Sequence, residues 1–299
     1  MDAINRRDFL DLTSAALLAA AAPDMPTVPI IDTHIHLFDP TRPEGVPWPP
    51  KDDKVLYKPA LPPRFSSIAE PLGVVGAIEV EASPWLKDNQ WVLDVAARYP
   101  VVVGTIGDLE PGKPDFATHL EHFHKNPLFR GIRYGNIWNR SLSDRLAEPA
   151  FVHDLKSVAK AGLVMDSANP DPALIATLVR LTDKVPELRV MIDHLPSLQP
   201  PADPAERKKY EADLKRLSER SQVYVKVSEV LRSTDHKATL DHLWDLFGED
   251  RLVYGSDWPN GDHWGTYPQV LDSVRGYFEG KGKQAAEKYF WKNSLEFYR

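Results

Sequence analysis

Ile30-Ile31-Asp32-Thr33-His34-Ile35-His36 combines a short apolar run with two histidines that lie two residues apart. In an extended strand, residues i and i+2 point to the same side, so one cavity could receive both imidazoles. Neutral imidazole is a common ligand of transition metals, and the pair is therefore suited to hold one metal ion. The alternative is a purely structural role, in which the two polar residues end the strand. The rest of the sequence is needed to choose between these interpretations.

From this stretch onward, apolar β-branched segments alternate with helical patterns, as expected when parallel strands are buried on both faces. The predicted strands are residues 30–33, 74–80, 101–106, 129–134, 163–166, 188–193, 222–227 and 252–255. The predicted helices are residues 85–99, 114–125, 149–161, 172–184, 205–220, 236–247, 264–279 and 283–297. Eight β/α units predict an α/β fold, a single-domain (β/α)8 TIM barrel over residues 29–299. A doubly wound sheet is the alternative, but no Gly-x-Gly-x-x-Gly follows the first strand.

Composition narrows the function classes. The 299 residues include 42% hydrophobic residues, enough for a full core, and the net charge of −7 leaves no basic footprint for nucleic acid. The chain has no cysteine, so a metal site must use histidine, aspartate or glutamate. The expected partner is a small-molecule substrate, and the oligomeric state stays open.

The first 28 residues resemble an export signal. Arg6-Arg7-Asp8-Phe9-Leu10 precedes a short apolar, alanine-rich stretch, which is the pattern of a twin-arginine signal. The stretch is too short to span a bilayer, so no stable membrane anchor is expected. We therefore predict export to the periplasm, with a cytoplasmic protein and an ordinary amphipathic helix as the alternative.

Residues 37–63 are rich in proline and aromatic residues and are predicted to form a long irregular loop. Long loops in compact domains usually have a function, and we interpret this one as a lid over the site. A surface loop packed by its own side chains is the alternative. Trp48 and Tyr57 in this loop, with Trp85, Trp138 and Trp258 elsewhere, would supply aromatic walls for a sugar or planar ring.

In such barrels the working residues lie at the carboxyl ends of the strands. His34, His36, His194 and Asp257 stand there and are predicted to bind one divalent ion, with zinc as the first choice. The ion would lower the pKa of a bound water, and Asp257 would accept the proton. A hydrogen-bonded structural histidine is the alternative for His194, and a helix N-cap is the alternative for Asp257.

Further polar residues at the same rim are predicted to bind the substrate. Arg133 suits a carboxylate or carbonyl group, since guanidinium matches carboxylates bidentately. Glu81 is interpreted as a further ligand or a base, or else as the salt-bridge partner of Lys226. His263 and Trp258 follow the last strand and are predicted to contact the substrate.

Taken together, these segments resemble the amidohydrolase superfamily, and within it the amidohydrolase-2 branch that includes sugar lactonases and pyrone-dicarboxylate lactonase. The matching segments are Asp32-Thr33-His34-Ile35-His36, Gly131-Ile132-Arg133, Ile192-Asp193-His194, Val225-Lys226-Val227-Ser228 and Tyr254-Gly255-Ser256-Asp257-Trp258-Pro259. The resemblance implies hydrolysis of a lactone, with Asp257 positioning or deprotonating the water and the histidines around the reacting carbonyl. Members of this branch differ in their use of a metal, so the resemblance implies a mononuclear or a metal-free site.

Three functions compete at this point. The first is a lactonase, a carboxylic ester hydrolase that opens a small polar or acidic lactone. The second is a metal-dependent decarboxylase of an aromatic or unsaturated acid, because related branches use a similar His/Asp site. The third is a periplasmic protein that binds sugar acids without catalysis, which the retained His34, His36, His194 and Asp257 disfavour.

Overall fold

The structure, a computed structural model, describes residues 28–196 and 200–299. Eight parallel strands of this part form one sheet and follow one another in chain order. They are β1 Ile30–Ile35, β2 Val74–Val80, β3 Val102–Gly107, β4 Phe129–Gly135, β5 Val164–Ala168, β6 Val190–Ile192, β7 Val223–Val227 and β8 Leu252–Tyr254. The predicted export signal lies outside the described residues apart from Val28, so export stays a prediction.

The last strand returns to the first and closes the sheet. The backbone N–H of His36 donates to the carbonyl oxygen of Trp258 at 2.7 Å, and the N–H of Asp257 donates to the carbonyl oxygen of His34 at 2.9 Å. This closure confirms the predicted (β/α)8 barrel and rules out the doubly wound sheet. It also places the residues after β8 directly beside His34 and His36.

Helices connect the strands on the outside of the barrel. They are α1 Pro62–Ala69, α2 Leu86–Arg98, α3 Phe116–His124, α4 Leu142–Arg145, α5 Pro149–Lys160, α6 Pro172–Lys184, α7 Pro204–Ser218, α8 His236–Phe247, α9 Tyr267–Gly280, α10 Lys283–Glu287 and α11 Asn293–Phe297. The sequence did not predict α1 or α4. A π-helical turn, Lys288–Lys292, interrupts the single helix predicted over 283–297. Among the described residues, no helix is long and apolar enough to cross a membrane.

Local sequence signals determine where several helices begin. The carboxylates of Asp171, Asp203 and Asp235 accept backbone N–H groups in the first turns of α6, α7 and α8. Such caps satisfy N–H groups that have no partner within the helix. Pro172 and Pro204 follow two of these caps, at positions where the fixed φ of proline suits the start of a helix.

The loop predicted as a lid over residues 37–63 is closed at its base by an antiparallel bridge between Phe38 and Ala60. Both of these residues and Leu56 are buried, so the loop packs partly by its own side chains. The loop ends one residue before Pro62, because α1 starts there. The prediction overlooked that proline is well accommodated in a first helical turn. Its role as a lid stays a prediction.

Close packing between strands gives the first testable expectation. A Cβ atom on Gly131 in β4 would lie 2.3 Å from the backbone oxygen of Val164 in β5. We expect Gly131→Ala to lower the free energy of unfolding by about 2 kcal/mol or more, because neither backbone can move without disturbing the sheet. Urea unfolding measures the change.

Gly276→Ala is the matched control. Gly276 lies within α9 and a Cβ atom there would meet nothing within 4 Å. The same substitution should therefore raise stability by up to about 1 kcal/mol, because alanine favours helices over glycine. Equal effects of both substitutions would contradict the close strand contact.

Candidate active site

The loops after the later strands hold their residues in unusual backbone conformations. In the described part of the chain, the non-glycine residues with a φ of 54–65° all lie in loops that follow strands β4 to β8. They are Trp138, Asn139, Asn169, His194, Glu229 and Asp257. Left-handed φ values are costly for such residues and persist where the surroundings hold them, often at functional sites. The carboxyl end of the barrel is therefore its working end.

His34 at the end of β1 and His36 just after it point into this end of the barrel, with ring centroids 4.9 Å apart. His36 donates from Nδ1 to the carbonyl oxygen of Val80 at 2.7 Å. The neutral ring therefore carries its lone pair on Nε2, which faces Oδ1 of Asp257 at 3.2 Å. A lone pair and a carboxylate oxygen repel each other unless a proton or a cation lies between them.

His34 is fully buried, and neither of its ring nitrogens has a hydrogen-bond partner. Burial lowers the pKa of His34 well below its ordinary value, and Lys226 lowers it further. The ring is therefore neutral and keeps one free lone pair. Its Nε2 lies 3.5 Å from Oδ1 of Asp257.

Asp257 is completely buried where β8 meets β1. Burial raises the pKa of Asp257, but when Nε2 of His36 carries a proton, its hydrogen bond and that of Asn260 outweigh burial, and the net shift is downward. The other oxygen, Oδ2, accepts the Asn260 amide at 2.7 Å. Asp257 is therefore an ionised carboxylate at neutral pH with Oδ1 turned to both histidines. No N-cap by this side chain is observed at the following helical turn, Asn260–His263, which has Pro259 at its N-cap position.

These three residues fit a divalent cation. One ligand atom from each of His34, His36 and Asp257 lies within 4.8 Å of the other two. A bound cation would give the unpartnered nitrogens of His34 a ligand role. It would also remove the repulsion between the lone pair of His36 and the carboxylate of Asp257. Val80 would serve as the outer partner that orients one ligand ring.

The structure places His194 beside this group rather than within it. Its ring stacks on His34 with the centroids 4.8 Å apart. Arg133 donates from Nη2 to Nε2 of His194 at 3.4 Å, and Nδ1 hydrogen-bonds Ser228 at 2.9 Å. Both ring nitrogens have hydrogen-bond partners, and His194 also lies within ligand distance of Glu229 and Asp257, so its role as a fourth metal ligand stays a prediction.

Glu229 is a site residue to which the sequence assigned no role. Its carboxylate groups with His194 and Asp257 within ligand distance, and it accepts Nη1 of Arg232 at 2.6 Å. The residue stands after β7, where the prediction expected polar residues. Its left-handed φ of 57° aims the side chain into the site, and no sequence pattern signals that angle.

Arg133 reaches the site as predicted. Its guanidinium is almost fully buried, donates from Nε to Oδ2 of Asp193 at 2.9 Å, and lies 4.0 Å from Glu81. Burial lowers the pKa of Arg133, but Asp193 and Glu81 outweigh burial and raise it. A fixed cation therefore stands at the mouth of the barrel.

Lys226 was predicted to bind substrate, and the structure places it elsewhere. It is completely buried inside the barrel, 2.6 Å from Oδ2 of Asp166 and 2.9 Å from Oδ1 of Asp193. Burial raises the pKa of both carboxyls, yet that of Asp193 falls below its ordinary value, since this residue faces Arg133 as well as Lys226. Asp166 is in direct contact with Lys226 but not with Arg133, and burial raises its pKa to about 6. Lys226 thus contacts Asp193, the carboxylate that orients Arg133, rather than the cavity itself.

Two further predicted substrate contacts lie outside the cavity. The Trp258 ring is buried against Phe65, with ring centroids 5.4 Å apart, because the chain turns it towards α1. The His263 ring lies on the exposed rim, where Nε2 is 3.0 Å from Oδ2 of Asp53 in the long loop. Because both residues follow β8, the sequence predicted the correct rim of the barrel for them. It did not predict the direction in which their side chains point.

The cavity at this end has a volume of about 370 Å³. Its lining residues are His36, Trp48, Glu81, Ala82, Arg133, Asn136, Ile137, Trp138, Asn169, His194, Glu229, Asp257 and Asn260. Of the predicted aromatic walls, Trp48 and Trp138 line the cavity, whereas Tyr57, Trp85 and Trp258 do not. The three asparagines were not predicted as lining residues.

Glu81 lines the cavity, and the salt bridge with Lys226 considered from the sequence does not form. Its carboxyl accepts the N–H of Ser83 at 3.0 Å and Nε1 of Trp138 at 3.1 and 3.0 Å. Burial raises the pKa of Glu81 to about 8, although Arg133 lowers it. The folded protein therefore holds a proton here that an unfolded glutamate releases near its ordinary value of 4.5.

This proton makes stability depend on pH. Between about pH 4.5 and 8 the folded state binds more protons than the unfolded state at Glu81, so the free energy of unfolding falls as pH rises. Glu81→Gln removes this contribution. We expect the stability of the wild type, relative to the variant, to fall by about 1 kcal/mol per pH unit from pH 5.5 to 7.5.

Urea unfolding at several pH values measures the difference in stability between the wild type and Glu81→Gln. The other groups near Glu81, including Asp108 and Arg140, are common to both proteins. Glu279→Gln on the exposed side of α9 should follow the wild type. Parallel curves for wild type and Glu81→Gln would contradict the buried proton.

Comparison with known proteins agrees with this geometry. The profile of the amidohydrolase family matches residues 31–299. The chain is 25% identical over 280 residues to an L-fucono-1,5-lactonase of Burkholderia ambifaria, covering 90% of this chain and 95% of that protein. An L-fucono-1,5-lactonase of Burkholderia multivorans is 22% identical over 286 residues, covering 87% and 92%. The solved structure of an amidohydrolase from B. multivorans with bound zinc has the same fold, with a TM-score of 0.78 at 18% identity over 90% of this chain and 99% of that one.

Proposed function

The chain belongs to the amidohydrolase family, and on that basis we propose that it hydrolyses a small, neutral, polyhydroxylated lactone by attack of an activated water. The observation that carries this proposal is the ionised Asp257 in one cavity with the fixed cation of Arg133. Hydrolysis of an ester needs a base for the water and positive charge for the carbonyl oxygen, and these two residues offer both.

Direct attack by water is favoured over a covalent intermediate. The residues that line the cavity include no serine, threonine or lysine in the described part of the chain, and the whole chain lacks cysteine. The common nucleophiles of ester hydrolysis are therefore missing from this cavity. Asp257 would take one proton of the water as its oxygen bonds to the carbonyl carbon.

The remaining steps use residues of the same cavity. Arg133, oriented by Asp193, would stabilise the negative charge on the former carbonyl oxygen. When the ring C–O bond breaks, the leaving alkoxide takes the proton from Asp257, and the product is the open hydroxy acid. His194 would keep the guanidinium in place from its other side through the 3.4 Å contact.

We propose His34, His36 and Asp257 as the residues that would hold a divalent cation, with zinc as the first ion to test. Such an ion would supply positive charge that lowers the pKa of water and polarises the carbonyl. The support is the set of ligand atoms within 4.8 Å and the unpartnered nitrogens of His34.

The charges of the cavity favour a neutral substrate. Glu229 and Asp257 contribute carboxylates, and the charge of Arg133 is already balanced in part by Asp193. In the cavity without a bound cation, a substrate carboxylate would therefore be repelled by Asp257 and would compete with Asp193 for Arg133. Three asparagines offer both donors and acceptors, which suits hydroxyl groups, and the named relatives that act on a sugar lactone agree with this choice.

A pH-stat assay with purified protein tests the proposal. Neutral sugar 1,5-lactones should release acid far above the spontaneous rate, and anionic lactones of similar size should react at least about tenfold more slowly. Each substrate is measured after chelation and after readdition of zinc. Acid release from none of the lactones, or carbon dioxide release from hydroxybenzoates instead, would overturn the proposed function.

A further inference from the structure

Glu81 and Trp138 form a pair that joins two loops of the barrel. Glu81 follows β2, and Trp138 lies in the loop between β4 and α4. The indole Nε1 donates to both carboxyl oxygens of Glu81, at 3.1 and 3.0 Å. Both side chains line the cavity, so the pair forms part of its wall.

The backbone around Trp138 is strained and firmly anchored. Trp138 and Asn139 both have a φ of 57°, a left-handed conformation that such residues rarely adopt. On one side of them, the side-chain amides of Asn136 and Asn169 each donate to the other's backbone oxygen, at 3.1 and 2.9 Å. The loop is thus held in place, and the carboxyl of Glu81 determines where the indole points.

On the other side of the pair, the loop is tied to the strand next to it. Arg140 donates to Oδ1 of Asp108 at 2.5 Å, and Asp108 follows β3. The loop therefore has fixed points on both sides of the indole.

Both oxygens of the Glu81 carboxyl already act as acceptors within the protein. One oxygen accepts the indole, and the other accepts both the indole and the N–H of Ser83. Arg133 is 4.0 Å away, which is too far for a hydrogen bond. The hydrogen bonds from Trp138 are therefore the direct link between Glu81 and this part of the cavity wall.

We propose that Trp138 is the surface on which the lactone ring packs and determines substrate specificity, and that Glu81 is a positioning residue that acts through it. The half-buried indole offers an apolar face inside a polar cavity, which matches the C–H face of a sugar ring. This inference rests on the proposed function for its substrate. A purely structural pair would affect stability but not the KM for sugar lactones.

A double-mutant cycle tests the pair with a neutral sugar 1,5-lactone as the substrate. Trp138→Phe loses the N–H and part of the ring face, and Glu81→Leu loses both acceptors. Each should raise KM about tenfold with less than about threefold loss of kcat. The double variant should be no worse than the worse single variant, because Glu81 acts through the indole.

Two control variants accompany the double-mutant cycle. Glu81→Gln keeps an acceptor for the indole and should keep KM within about twofold of the wild type. Trp264→Phe changes an exposed tryptophan of the same rim that stacks on Arg232 and should leave KM unchanged.

The outcomes separate the two proposals. Active protein whose KM is unchanged in Trp138→Phe overturns the role of Trp138 and leaves the lactonase proposal standing. Full additivity of the two substitutions overturns the positioning role of Glu81. Wild-type protein that opens no lactone overturns both proposals.

Discussion

Asp257→Asn is expected to lower kcat for lactone opening by about 10³-fold. The substitution keeps the size of the side chain and its capacity to accept the Asn260 amide, but it removes the charge that takes the proton of water. General base catalysis typically contributes about 10²- to 10⁴-fold. The carboxylate would also be a metal ligand here, so its loss removes two contributions at once.

Steady-state kinetics on the best lactone measures this effect. Asp262→Asn, five residues further along the same loop, is the matched control, because Asp262 pairs with Arg64 at 3.1 Å outside the cavity. The control should keep kcat within about twofold. If Asp257→Asn retained most of the wild-type kcat, the proposed base would be wrong.

Lys226→Met is expected to lower the free energy of unfolding by about 3–5 kcal/mol. Lys226 lies between Asp166 and Asp193, and all three side chains are fully buried. Methionine fills a similar volume, but it leaves two carboxylates in the barrel with less compensating charge. Removing one partner of a buried ionic group costs far more than the pair itself contributes.

Unfolding in urea measures the loss, and two variants control for it. Lys237→Met removes a lysine that pairs with Asp241 on the exposed face of α8, so it should leave stability nearly unchanged, because exposed ion pairs contribute little. Adding Asp166→Asn to Lys226→Met should restore part of the loss, because one unpaired charge disappears. Equal effects of the two lysine substitutions would contradict the buried ionic group.

Much of the fold was predictable because its signals are local. The strands are short apolar runs, and the helices begin at residues such as Asp171 followed by proline. The position of His34 and His36 at the end of the first strand placed them in the cavity once the sheet closed. Closure of the sheet into a barrel was predicted from the count of eight β/α units.

The directions of side chains were not predictable from position alone. Lys226 lies in a strand whose side chains point alternately to opposite faces of the sheet. Only the assembled barrel shows that its ammonium group contacts two carboxylates. Trp258 and His263 follow the correct strand but turn towards α1 and the long loop. Glu229 enters the site through a left-handed backbone angle that has no pattern in the sequence.

A crystal structure of the Asp257→Asn variant with a neutral sugar 1,5-lactone tests the central claim most directly, because the slowed variant should hold the unopened ring. The account predicts the lactone in the cavity between Trp138 and the end of β1, with its carbonyl oxygen within hydrogen-bond distance of Arg133. A lactone bound elsewhere on the protein, while the wild type opens it, would contradict the account.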